Sequence, residues 1–189
     1  METIALIVLG GGVFVVLLWL LVTYNGFVSK RNRAKNALSS IDVNLKKRHD
    51  LIPNLVSAVK GYMKHEAGVL KRVTRLREQA VGMPADDPGR AAIEREIGSF
   101  LAAINVRVEA YPDLKASDNV MHLQRTLNEI EEQISAARRA YNAAVESFNN
   151  AAEMFPSRIV AGMMNLSPMS FFEAVETDRV APAVDFSGD

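Results

Sequence analysis

The chain has 189 residues, 49% of them hydrophobic, with 22 basic and 22 acidic side chains and no cysteine. That length supports one domain with a sizeable core, while the absence of cysteine excludes a disulfide framework without fixing a compartment. The formal charge of zero conceals an asymmetry: residues 30–80 carry 13 Lys/Arg against 4 Asp/Glu (+9), residues 81–189 carry 9 against 17 (−8), and Glu2 closes the sum.

From Thr3 to Ser29 there is no charged residue, and Ile4 to Val22 is almost wholly aliphatic or aromatic. As a helix this run is about 28 Å long, close to the roughly 30 Å hydrocarbon thickness of a bilayer. A membrane anchor over 1–24 is therefore expected. A cleavable signal fits poorly, because the flank is Met1-Glu2 rather than basic, the apolar run is long, and no A-x-A site follows. Gly10-Gly11-Gly12 weakens helicity, but the bilayer compels internal hydrogen bonding. Trp19 and Tyr24 suit a headgroup boundary, and Lys30, Arg31, Arg33 and Lys35 follow on the C-terminal side. The positive-inside rule then puts the N-terminus outside and the C-terminal domain in the cytoplasm.

Beyond the anchor, apolar residues recur in steps of three and four: Leu38, Ile41, Leu45, Ile52, Leu55, Val59, Tyr62, Val69 or Leu70, Val73 and Leu76. They describe one stripe on a very long first helix. Pro53 forfeits the bond to the carbonyl of His49 and predicts a kink there rather than a stop, since the stripe resumes in phase. Uninterrupted, Tyr24 to Ala80 would reach about 85 Å. GMPADDPG at 82–89 ends it. A second helix is expected from near Gly89 to Tyr111, with Ile93, Ile97, Phe100, Leu101, Ile104 and Val108 on its buried face. A third is expected from a Ser117 or Asp118 cap to Phe155, followed by a short fourth over SRIVAGMM. NLSPMSFFE then reads as an extended apolar segment, and residues 174–189 as a disordered tail.

No useful stretch alternates with period two, so the expected fold is all-α: a single N-terminal transmembrane helix continuing into an antiparallel bundle over 25–173, three helices long and one short. A first helix longer than its partners leaves apolar stripe uncovered, which predicts self-association; the alternative is a kinked first helix whose halves are both covered by the third helix. The charge asymmetry predicts pairing inside the fold or between subunits, with some contact to anionic lipid. Nucleic acid is the poorest partner, because the basic residues lie within a helical apolar pattern without aromatic interleaving.

Chemistry is sparse. HEAGV at 65–69 has Val69 where a zinc protease motif requires its second histidine, and His49 and His122 do not replace it. Nucleophile elbows, phosphate-binding glycine loops and acidic calcium loops are absent, and Glu129, Glu131 and Glu132 read as a solvated helix face. No catalytic residue, metal or cofactor is expected. Met163, Met164 and Met169 beside Phe171 and Phe172 read as a core plug or as an adaptable docking surface.

Two stretches carry a family resemblance. YNGFVSKRNRAKNALSSIDVNLKKRHDLIPNLVSAVKGYMKHE, residues 24–66, closely resembles the opening of the LemA family of bacterial membrane proteins. YNAAVESFNNAAEMFPSRIVAGMMNLSPMSFFE, residues 141–173, is similar to its closing pattern. Leu38, where many members have Trp, and NLSP at 165–168 are departures. The resemblance implies a single anchor in the bacterial inner membrane, a bundle of long helices and no established enzyme activity. Relatives include magnetic-organelle proteins, and frequent gene neighbourhood with the membrane zinc protease HtpX implies a role in quality control. The motif residues Asn32, Asn36, Asp42, Arg48, Asp50, Pro53 and Asn54 are candidate subunit contacts, their charged members locking helices by bidentate pairing or remaining solvated. The expected function is a noncatalytic scaffold that self-associates and organises membrane partners, with regulation of a membrane protease as the alternative.

Overall fold

A computed structural model describes residues 1–63, 66–84 and 87–172. The element order is α1 (Glu2–Val59), α2 (Ala67–Val81), α3 (Pro88–Val108), α4 (Pro112–Lys115), α5 (Asp118–Glu153) and α6 (Ser157–Met163), with no strand among the described residues. The all-helical expectation therefore holds. The predicted 174–189 tail and His65 of the HEAGV stretch lie outside the described residues.

Two compact units divide the chain, one of residues 1–34 and 141–189 and one of residues 35–140. In the second unit, Ile52, Leu55 and Val59 of α1 join Leu70, Val73, Leu76 and Ala80 of α2, Ile97, Leu101, Ile104 and Val108 of α3, and Val120, Leu123 and Leu127 of α5 in one buried core. Each of the Val, Leu and Ile side chains taken out of water contributes about 1.5–3 kcal/mol. Asp87 opens α3 by accepting the backbone N–H of Gly89 at 2.7 Å, which satisfies a donor the helix start would otherwise leave bare.

One expectation is corrected here. The stretch 24–80 is not one kinked helix: α1 passes through Pro53 and ends at Val59, and the chain turns at Lys60–Met63. The turn is closed by the Tyr62 and Met63 amides, both donating to the Val59 carbonyl. The chain then doubles back, so that Arg77 of α2 reaches His49 of α1. From Ile52 to Ala80 most of the stripe is therefore covered by the chain's own helices, with Tyr62 remaining exposed.

In the first unit, Phe27, Phe148, Val160 and Ala161 form a second core, with Trp19, Leu20, Ala151, Ala152, Met164, Leu166 and Met169 packed against it. Phe27 meets Phe148 edge to face, with centroids 6.1 Å apart. The helix α6 ends with Asn165 at φ 50°, where the Leu166 amide donates to the Ala161 carbonyl and the Asn165 amide to that of Gly162. This is the left-handed helix terminator, and asparagine tolerates it better than most non-glycine residues. It turns the chain back along α5.

Candidate functional site

The buried stripes of α1 and α3 are each interrupted by charge. Continuing the three-four steps Ile41, Leu45, Ile52 places Arg48 in the missing position, and continuing Val108, Ile104, Leu101, Ile97 backwards reaches Glu94 and Arg90. Arg48 and Glu94 are each 1% exposed. The Arg48 guanidinium donates through Nη2 to Glu94 Oε2 at 2.5 Å and to the Glu94 carbonyl at 3.0 Å, and through Nη1 to Glu131 Oε1 at 2.7 Å. Glu94 Oε2 also meets His49 Nε2 at 3.1 Å. Arg90 stands 3.5 Å from Glu94 Oε1 and 2.8 Å from Asp42 Oδ1.

Burial by itself would raise the Glu94 carboxyl, but the hydrogen bond from His49 and the field of Arg48 outweigh it and hold the group below its ordinary value. Arg138 of α5 is brought down from the ordinary guanidinium range, first by its own burial and then by the like charge of Arg48. Chemically this arrangement is a lock: paired charges in a core constrain which helices meet and at what register, and removing one partner is costly.

Helix α2 is tied in through the backbone. A proline at 53 has no N–H to give the carbonyl of His49, and Arg77 Nε of α2 donates to that carbonyl at 2.7 Å. The helix breaker thus creates the acceptor that fastens α2 to α1.

A second constellation lies in the other unit. Asn142 donates through Nδ2 to the Phe172 carbonyl at 3.0 Å and accepts the Phe172 amide at 2.8 Å. Asn149 does the same with Met169, at 2.9 and 2.8 Å, and the Tyr141 hydroxyl donates to the Ser170 carbonyl at 3.1 Å. Seven residues of helix rise about 10.5 Å and three of extended chain about 10 Å, so the two amides grip backbone groups three residues apart on an antiparallel strap.

The residues singled out from sequence are distributed as follows. Trp19 is half-buried against the Phe27–Phe148 core, Tyr24 is exposed, Lys30 Nζ donates to Ser147 Oγ at 2.7 Å, and Arg31, Arg33 and Lys35 are exposed. Asn32, Asn36, Asp50, Pro53 and Asn54 are exposed, Asp42 is half-buried on Arg90, and Arg48 is turned inward. Of the apolar cluster, Met164 and Met169 pack into the unit and Phe172 is half-buried edge-on to Tyr141, whereas Met163 and Phe171 are exposed. Glu131, read as part of a solvated face, is half-buried and bonds Arg48. Sequence reasoning missed Arg90, Glu94, Arg77 and the Asn142–Asn149 pair. The signal for the first two was the gap in each apolar stripe. Among the described residues, no group of three or more His, Asp or Glu could hold a metal ion. The +9 and −8 segments do pair within the fold, Arg48 and Arg72 meeting Glu94, Glu131 and Glu96.

Known proteins place this geometry in context. Protein LemA of Metamycoplasma hominis is 29% identical over 156 residues, covering 82% of this chain and 71% of that protein. Magnetosome protein MamQ of Magnetospirillum gryphiswaldense is 22% identical over 193 residues, covering 87% and 71%. MamQ 2 of Paramagnetospirillum magneticum is 22% identical over 191 residues, covering 86% and 70%. A single described helix, α1, is long and apolar enough to cross a membrane, and no residue of its apolar stretch is fully buried. With the LemA family model matching residues 37–186, the chain belongs to the LemA family.

Proposed function

We propose that the protein is a noncatalytic, single-pass scaffold of the bacterial inner membrane, its N-terminus outside and its helical part in the cytoplasm, that positions membrane partners. One observation carries this reading. The one clustered set of charged side chains among the described residues, Arg48, His49, Arg90 and Glu94, is buried and its members are paired with one another in the core. An acid, base or nucleophile must instead reach a substrate. The unburied apolar helix supports the anchor, and the basic run from Lys30 to Lys35 supports the orientation. Whether the scaffold also self-associates is tested by light scattering of the full chain in detergent, where a strictly monomeric protein counts against assembly.

The discriminating experiment replaces the network by apolar groups of similar size, Arg48→Met with Glu94→Leu, in the full chain in cells. A scaffold keeps its set of photo-crosslinked membrane neighbours when circular dichroism shows the helices intact. Loss of those neighbours, or of a cellular phenotype, from a folded variant would give the network a chemical role instead. The adaptor reading, regulation of a membrane protease, is favoured by the strap, whose exposed Phe171 offers an apolar contact. Copurification with a protease that disappears on deleting residues 157–173 would select it.

A further inference from the structure

The anchor and the end of α5 run antiparallel in the first unit. Lys30, the first charge after the apolar run, bonds Ser147, and Phe27 meets Phe148 edge to face. From the Lys30–Ser147 level, α5 continues toward the N-terminal end of α1. Eight residues from Ser147 to Phe155 advance about 12 Å, and ten from Lys30 back to Leu20 about 15 Å. Consistent with that arithmetic, Trp19 and Leu20, which lie inside the apolar run, are half-buried against the core that Val160 and Ala161 of α6 help to form.

The corner between α5 and α6 therefore lies beside the span and well past its last charge. It carries Phe155 at 83% exposure, Met163 at 72%, Met154 at 63% and Ile159 at 53%. Ile159 and Met163 are one turn apart on the face of α6 away from its packed residues. The headgroup zone adds roughly 5–8 Å on each side of the hydrocarbon, so a corner 12–15 Å deeper than Lys30 reaches through that zone to the acyl boundary. Large apolar side chains bare to water are rare in such density and mark a contact surface.

We propose that this corner is a second membrane-contacting element, a wedge whose Met154, Phe155, Ile159 and Met163 sit at the lipid interface of the same leaflet as the C-terminal end of the anchor. The occupant is lipid rather than protein because the core under the corner includes Trp19 and Leu20, which lie within the uncharged apolar run of α1. Exposed Arg158, in the first turn of α6, would snorkel to phosphate while its stem lies along the wedge. The proposal rests on α1 being the anchor.

The natural absence of cysteine permits single-site labelling of the full chain. Nitroxide labels are placed at F155C, I159C and M163C, with V13C as the control inside the span and V106C as an exposed control on α3. The protein is reconstituted in vesicles of phosphatidylcholine and phosphatidylglycerol, and relaxation by oxygen and by a water-soluble nickel chelate is compared. The oxygen-to-nickel ratio at the three wedge sites is expected to lie between the controls, above V106C and below V13C. Ratios equal to that of V106C while V13C stays lipid-exposed overturn the wedge and leave the anchor standing. Exclusion of both agents with dipolar broadening between labels overturns it in favour of a second copy. A water-exposed V13C overturns the anchor and the wedge together.

Discussion

The proline-to-arginine relay between α1 and α2 makes a quantitative prediction. Arg77→Met keeps the aliphatic stem but removes the donor at 2.7 Å from the His49 carbonyl, and nothing in the α1 ladder replaces it because residue 53 has no N–H. A charged donor on a carbonyl contributes about 1.5–3 kcal/mol, and an orphaned buried acceptor costs a similar amount. Because Arg77 is itself half-buried, the lower end of that range, about 1.5 kcal/mol, is expected in the natural background. With Pro53→Ala an ordinary helical N–H returns to the His49 carbonyl, and the same Arg77→Met substitution should cost under about 0.5 kcal/mol. The assay is urea unfolding of the full chain in detergent for the four members of the cycle, and the expected coupling is about 1 kcal/mol or more. A coupling within about 0.3–0.5 kcal/mol of zero, the range expected of independent sites, would refute the relay.

Other outcomes follow from the same geometry. Arg48→Met alone should destabilise by about 3–5 kcal/mol by stranding Glu94, whereas Arg48→Met with Glu94→Leu should recover most of that loss in the same unfolding assay. Because the folded Glu94 carboxyl titrates below its reference value of 4.5, its contribution is present above that value and is lost as pH falls through the folded pKa. Glu94→Leu with Arg48→Met should therefore flatten the acid limb of stability against pH, and an unchanged limb would exclude Glu94 as its source. Asn142→Ala or Asn149→Ala each deletes two bonds to the strap; a loss of about 1.4 kcal/mol would raise proteolysis between residues 165 and 172 roughly tenfold, while helix content stays constant. Asn165→Gly should be neutral, but Asn165→Val should cost about 1–2 kcal/mol in thermal unfolding, since a β-branched residue resists positive φ.

The helices were legible because their burial follows a simple period: α3 and α5 fall within a few residues of the boundaries read from capping residues and prolines. The reversal after Val59 was not. Val59 and Met63 remain in phase with the stripe, and a stripe continued in phase looks the same whether the helix runs on or folds over. Pro53 was the more conspicuous breaker, yet its lost bond is compensated from another helix, a contact that local propensity cannot foresee. The ionic network was half-visible. The candidate residues included Asp42 and Arg48, but Glu94 was hidden because a buried carboxylate looks like any other charge until its stripe position is counted. The role of Asn142 and Asn149 was invisible for a different reason: their partners are backbone groups, which every residue possesses.

That last feature governs how the segment after α6 can change over evolutionary time. An amide that grips peptide units measures distance and ignores lettering, so Ser170 and Phe171 can be exchanged freely while the clasp survives. A single inserted or deleted residue between Met169 and Phe172 would throw the second grip out of step with the first. The segment is thus tolerant of spelling and intolerant of length, a constraint of the kind a ruler imposes.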